Sequence, residues 1–190
     1  MDSRSGGAGS ACGISAEAGR TTRSELEETV VALFDQFRNP ILRYVFSIGL
    51  SPQDGEDVIQ EVFMSLFRHL HLGRSRKNLR GWIFRVAHNL ALKKRFANQK
   101  NRPLEDPDGV FVDRQPDPSP SVEEQLVASE RRSGLLAVVR VLPELDRHCL
   151  RLRSEGLRYR EIAEVLGISL GSVSMSLTRS LARLERAGGR

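Results

Sequence analysis

Ile59, Val62, Phe63, Leu66, Phe67 and Leu70 recur at i, i+3, i+4, i+7, i+8 and i+11. That spacing sets six large apolar side chains on one stripe of an α-helix and is incompatible with a strand, whose faces alternate every residue. The start of the helix is written just upstream: Ser51 is placed to cap it and Pro52 to fill its first position, where a missing N–H costs nothing. Asp54 and Glu56 make the first turns acidic, as the helix dipole favours. The opposite stripe reads Asp57, Gln60, Glu61, Met64 and Arg68. Charged outer faces are ordinary on solvated helices, but carboxylates beside an adaptable Met also suit a helix-on-helix protein interface.

Immediately after Gly73 the chemistry reverses. Arg74 to Arg102 contains ten basic residues and no Asp or Glu, yet encloses the apolar run WIFRVAHNLAL and the single tryptophan, Trp82. A solvated charge run would not interleave Trp, Ile, Phe, Val and Leu with its cations. A helix over about 79–96, with Ile83, Val86, Ala87 and Leu90 inward and Arg85, Asn89 and Lys93 on another face, would pack on one side and meet phosphate on the other. Arg74, Lys77 and Asn78 lie in the short loop before it, and His88 joins the helix face. Trp82 fits equally a core anchor and a stacking platform for an unpaired base.

Upstream, residues 1–23 are dominated by Gly, Ser and Ala, too poor in apolar surface to offset ordering entropy, and are expected to be disordered. Ser24 with Glu27 reads as a capping box ahead of Leu26, Val30, Leu33, Phe34 and Phe37. Asn39-Pro40 should interrupt or kink that helix, and Gly49 should stop it after Leu42, Val45 and Phe46. Downstream, residues 103–121 hold five prolines and five carboxylates against one Arg, an extended acidic linker. Ser121 and Glu124 form a further capping box for a helix to about Val141. Pro143 restarts the chain into a helix ended by Gly156. Then LRYREIAEVLG, the short ISLGS and VSMSLTRSLARLERA make two helices around a tight turn. Ala163 permits close approach, Gly167 ends the first helix, and Val173, Leu177, Leu181 and Leu184 face inward on the second. The expected fold is all-α: two small helical domains, 24–101 and 122–187, joined by a Pro-rich acidic linker at 102–121, the second containing a helix-turn-helix.

Net charge is +5 and the sequence pI about 9.8, so a polyanionic partner fits. Cys12 and Cys149 are the only cysteines and supply no disulfide framework, which suits a reducing cytoplasm. The longest purely apolar run, 135–139, is far too short to insert in a membrane. His69, His71, His88 and His148 do not make a four-ligand set at familiar spacing, so neither metal nor cofactor is expected. No nucleophile-base pair, phosphate-cradling glycine loop or converging carboxylate pair is present, and no catalytic chemistry is implied.

Taken together, the chain resembles a bacterial sigma-70 family RNA polymerase sigma factor of the small extracytoplasmic-function type. SPQDGEDVIQEVFMSLFRHL is similar to the family's D-x-E-D-hydrophobic-x-Q-E-x-F helix, LRGWIFRVAHNLALKKR to its W-hydrophobic-x-x-hydrophobic-A-x-N-x-A segment, and GLRYREIAEVLGISLGSVSMSLTRSLARL to its helix-turn-helix. The resemblance spans about 25–187 in family order. It implies that Asp57, Gln60, Glu61 and Met64 dock on the clamp helices of the largest subunit of core RNA polymerase, with a further contact at the flap. It also implies that Arg74, Lys77, Asn78, Trp82, Arg85, His88, Asn89 and Lys93 meet the single-stranded minus-ten element. Arg158, Tyr159 and Arg160 would lie near duplex phosphates, with Ser172, Ser174, Met175, Ser176, Arg179 and Arg183 outward toward the minus-thirty-five element. An anti-sigma factor is a further implied partner. Two departures stand out: Ser174 and Ser176 replace the cations common in relatives, and Lys93 replaces an acidic residue. Two other readings fit parts of the chain: a helix-turn-helix regulator acting without polymerase, and an interaction module such as an anti-sigma decoy.

Overall fold

The structure, a computed structural model, describes the backbone over residues 13–101 and 133–188, with side chains over 23–99 and 133–187. The acidic linker and the Ser121 capping box lie outside the described residues. Helix α1 runs Gly13–Ser47, α2 Pro52–His71 and α3 Leu79–Asn101. Helical residues 133–140 form α4, followed by α5 at Glu144–Ser154, α6 at Tyr159–Leu166 and α7 at Leu170–Gly188. The described residues contain no strand.

The first three helices pack as a bundle around the α2 stripe. Val58, Ile59, Val62, Phe63, Leu66 and Leu70 are buried, and each such side chain contributes about 2 kcal/mol on leaving water. Ser51 caps α2 as expected, accepting from the Asp54 N–H at 3.2 Å, and Pro52 stands at its first position. Gly55 lets α1 come close: a Cβ there would lie 2.5 Å from the Phe46 ring. Phe34 meets Phe63 edge to face at 5.0 Å, and Phe37 and Tyr44 both meet Phe84. Phe84 is fully buried, although the inner set read from the sequence omitted it.

Several boundaries differ from expectation. The α1 backbone is helical from Gly13, so Ser24 is an interior residue whose hydroxyl donates to Glu28 Oε1 at 3.3 Å, not a cap. Extending a helix that is already anchored costs far less than nucleating one, which lets it continue into a segment unsuited to folding alone. Pro40 lies inside α1 rather than ending it. Helix α3 runs about a turn past Phe96. On α7 the buried face is Val173, Ser176, Leu177 and Ser180, whereas Leu181 is half-exposed. The Ser180 hydroxyl bonds back to the Ser176 carbonyl and so enters the interior satisfied.

Helices α5, α6 and α7 form the second unit, with α6 and α7 crossing at 108° around Gly167, which adopts the left-handed conformation. That is helix-turn-helix geometry. The two units share one apolar core: residues of α1 and α3 and residues of α5, α6 and α7 belong to a single contiguous buried cluster. The expected pair of domains is therefore present, but closed on itself.

Candidate nucleic-acid interface

The outer stripe of α2 stands as the sequence implied. Asp57, Gln60, Glu61, Met64 and Arg68 are all exposed, with Met64 half in solvent. Asp57 is not wholly free: Lys94 of α3 reaches its carboxylate at 2.5 Å and that of Asp54 at 3.3 Å. The Ser51 hydroxyl, with help from Asn98 and Lys94, holds the Asp54 carboxyl below its ordinary pKa. Lys94 is correspondingly raised, chiefly by Asp57. This network ties α2 to α3 beside the acidic face.

The loop before α3 is short because Asn78 turns it. Its φ is +54°, a left-handed value that Asn tolerates better than most residues, and its side-chain oxygen accepts the Gly81 N–H at 3.2 Å. A Cβ on Gly81 would sit 2.6 Å from the Asn78 amide, so the glycine exists to admit this cap. Arg74 and Lys77 are exposed around it. Trp82 is half-buried, packed on the core with its ring 4.7 Å from that of His69, whose Nε2 pairs with the Ser75 carbonyl. Core anchoring is thus visible for Trp82, and part of the ring remains accessible.

On α3, Arg85, Asn89 and Lys93 are exposed in the expected row. His88 is not. It is 7% exposed, with Nδ1 2.8 Å from the Tyr44 hydroxyl and its ring 5.6 Å from that of His148 on α5. Burial, reinforced by the neighbouring His148, lowers its pKa from 6.5 to about 4. The expectation that His88 belongs to the outward face is therefore corrected: one position along a helix is a rotation of about 100°, which carries it from the Arg85–Asn89 row into the contact between units.

In the helix-turn-helix, Arg158, Tyr159 and Arg160 are exposed at the start of α6, where Glu161 Oε2 accepts the Arg158 N–H at 2.7 Å. Ser169 caps α7 by accepting the Ser172 N–H at 3.1 Å, and the two hydroxyls pair at 2.9 Å. Ser172, Ser174, Met175, Arg179 and Arg183 point out. Ser176 does not: it is buried, and its hydroxyl donates to Asp146 Oδ1 at 2.6 Å. Arg179 meets the same oxygen at 2.9 Å. Burial would raise the Asp146 carboxyl; the Ser176 hydroxyl and Arg179 guanidinium outweigh it and bring the pKa below its ordinary value. Asp146 thus fixes α7 against α5. Among the described residues its Oδ2 has no hydrogen-bond partner.

Sequence reasoning also missed Arg43, Arg80, Arg95, Glu144, Glu155 and Glu164. These residues join the two units across separations no local pattern encodes. The Arg43 guanidinium grips Glu155 at 3.0 and 2.7 Å, and Arg95 pairs with Glu144 at 2.5 Å. Arg80 donates to the carbonyls of Glu155 and Gly156 at 2.9 and 3.2 Å, and Asn78 donates to Glu164 at 3.3 Å. Among the described residues, no group of three or more His, Cys, Asp or Glu is placed to hold a metal ion.

Comparison with known proteins converges on one family. The model for sigma-70 region 2 matches residues 33–101, and that for sigma-70 region 4 matches residues 132–184. The RNA polymerase sigma factor SigZ of Bacillus subtilis is 26% identical over 155 residues, covering 81% of this chain and 84% of that protein. The probable RNA polymerase sigma factor RfaY of Xanthomonas campestris is 27% identical over 150 residues, and the ECF sigma factor SigG of Mycobacterium tuberculosis 24% over 192; this chain covers 78% and 90% of itself in those matches but spans only 37% and 52% of the two relatives' length. Among solved structures, the sigma factor RpoE of Bartonella quintana, crystallised with the anti-sigma factor NepR, matches with a TM-score of 0.56 at 17% identity over 82% of this chain and 94% of that one. CnrH in complex with the cytosolic domain of CnrY matches equally well, at 20% identity over 88% and 94%. At these identities the structural likeness is one of fold.

Proposed function

The chain belongs to the sigma-70 family, in its extracytoplasmic-function group, and from that premise we propose that it binds core RNA polymerase, directs it to promoters and helps open the minus-ten region. It acts as an initiation factor and not as a catalyst. The observation that carries this reading is the pairing, within one bundle, of an exposed acidic face on α2 with an exposed basic row on α3. One face suits a basic helical partner, the other phosphate.

In that role Asp57, Gln60, Glu61 and Met64 dock on polymerase. Arg74, Lys77, Arg85, Asn89 and Lys93 follow the non-template strand, with Asn78 and the accessible part of Trp82 near an extruded base, whose removal from the stack costs a few kcal/mol that stacking in a pocket offsets. The domain spanning 24–101 performs these steps, the linker at 102–121 crosses polymerase, and the domain at 122–187 reads duplex DNA. There Arg158, Tyr159 and Arg160 serve as phosphate contacts and Ser172, Ser174, Met175, Arg179 and Arg183 as the groove-facing set. The protein works in the cytoplasm; among the described residues no single helix is long and apolar enough to cross a membrane. Because the RpoE match was solved with an anti-sigma factor, such a regulator is a further partner for this chain.

Reconstitution tests the proposal. The purified chain should co-elute with core polymerase and yield run-off transcripts from promoters selected out of a random library. Tight binding to duplex DNA with no association with polymerase would instead identify a free-standing regulator, and polymerase binding without promoter-specific transcripts would identify an interaction module.

A further inference from the structure

Asp146 stands in the first turn of α5 with only 1% of its side chain exposed, yet it reaches a side chain on the outer face of α7. Which atoms pair is informative. Two helices are stapled most firmly by a bidentate ion pair held out of water, both carboxylate oxygens against both arms of a guanidinium. Here one nitrogen, Arg179 Nη2, meets one oxygen, Asp146 Oδ1, at 2.9 Å, while Oδ2 is buried and 56% of the Arg179 side chain stays exposed. A half-exposed pair of this kind adds little stability. It does fix a direction. The Ser176 hydroxyl holds the same Oδ1 at 2.6 Å, so the carboxylate is anchored from within, and the guanidinium bound to it keeps the rest of its five N–H groups for an outside partner.

Ser172, Met175 and Arg179 recur at i, i+3 and i+7, so the anchored fork belongs to the exposed row of the second helix of the helix-turn-helix. An unrestrained arginine neutralises phosphate from many rotamers. Reading guanine asks more, because two N–H groups in one plane must meet O6 and N7 together. A fork whose plane is preset loses less side-chain freedom on making that contact. We infer that Asp146 is a positioning residue for sequence readout: from the core of the second unit it holds the Arg179 fork for bidentate recognition of one guanine in duplex DNA. The inference rests on the proposed function, in which α7 enters the major groove, and adds to it the base that is read and the buried group that sets the preference. Serine hydroxyls such as those of Ser172 and Ser174 pair with several bases, so Arg179 carries the sharpest preference on this helix.

The test selects duplexes with a fixed minus-ten element and a randomised upstream segment. One arm uses holoenzyme reconstituted with core RNA polymerase, the other the full chain alone at high concentration. The unsubstituted protein should prefer guanine at one position by about 30-fold, and Arg179→Lys, which keeps the charge and loses the fork, should remove that preference. Asp146→Asn, which loses the charge-assisted bond, should lower the preference about tenfold at the same position and leave the other positions as they were. The slope of log affinity against log salt should not change, because no phosphate contact is lost. Asp146→Leu with Ser176→Ala leaves neither member of the buried pair unpartnered and should have the same effect, even where the asparagine variant fails to fold. Three results would overturn the inference: full guanine preference in the folded Asp146 variants, an evenly weakened profile with a lower melting temperature, or no guanine preference that depends on Arg179. An Asp146-dependent guanine preference in the chain alone, with no selection by the polymerase arm, upholds the role of Asp146 and ends the initiation reading.

Discussion

Helices α2 and α3 are neighbours in one bundle and of similar length, yet they spend their outer faces differently. The acidic face of α2 lies wholly in solvent apart from the Lys94 pair with Asp57. The basic side of α3 is split, one row exposed and the next row consumed by α5, α6 and the turn between them. Like charges explain the asymmetry. The second unit brings Glu144, Glu155 and Glu164 to the contact, which a basic helix attracts and an acidic one repels. Under the proposed function, a face for polymerase that needs no domain separation, beside a face for DNA that does, would set an order of events: protein docking first, strand capture after opening.

The largest effect should come from breaking the exposed side. Gln60→Ala with Glu61→Lys places a like charge against the basic partner and should weaken polymerase binding roughly 100-fold, about 3 kcal/mol. The scattering radius of the free protein and its single-strand affinity should not change, because neither residue touches α3. A variant that binds polymerase normally would remove this face from the interface; one that also opens would end the independence of the two sides.

Acid separates the same two sides by pH. His88 has a folded pKa of about 4 against an ordinary 6.5, so an opened or unfolded chain binds its proton more readily than the closed one. Closure is then fully present above about pH 6.5 and is lost progressively as the pH falls toward 4, by on the order of 2 kcal/mol. The groups around the ring set this sign. Burial beside Tyr44 and the neighbouring His148 disfavour its proton, and Glu144 favours it; at His148 burial and the cations Arg151, Arg147 and Arg95 lower the pKa in the same direction, against Glu144. The Asp54 network that joins α2 to α3 has its pKa depressed by Ser51, so it is weakened only below the ordinary carboxylate range. Between pH 6.5 and 5 the radius should therefore grow while the α1–α3 bundle stays folded by circular dichroism, and His88→Phe should flatten the response.

What the sequence disclosed follows the range over which each signal acts. The α2 stripe, the Ser51 cap, the Gly73, Gly156 and Gly167 stops and the 108° helix-turn-helix are local, and the residues that determine them lie within one or two turns. The exposed site residues were legible for the same reason, since periodicity alone puts Gln60 and Arg85 outside. His88 and Ser176 were misassigned because each is polar and lies beside an outward row. What buries them is a partner about 40 or 30 residues away, Tyr44 for one and Asp146 for the other. A polar side chain that finds its hydrogen bond inside leaves no trace in hydropathy. Closure is the extreme case, resting on Arg43 with Glu155 and Arg80 with Gly156 across a linker whose composition signals only separation.

The smallest change tests whether the exposed row of α3 truly acts before opening. Arg85→Ala deletes one cation from the row and touches neither Glu144, Glu155 nor Glu164, so the radius should stay closed. If Arg85 neutralises one phosphate in the first encounter, the slope of log affinity for single-stranded DNA against log salt should become shallower by about 0.7. The loss should be the same in the wild-type background and in the Glu144→Gln, Glu155→Gln, Glu164→Gln background, because a contact available in both closed and open forms is uncoupled from the equilibrium between them. Arg80→Ala should behave otherwise: it removes a latch and a strand contact together, so its effect on single-strand binding should be small in the closed protein and larger once the three glutamates are gone. If Arg85 showed that same dependence on background, the exposed row and the inner row would be one surface, and the division drawn through α3 would fail.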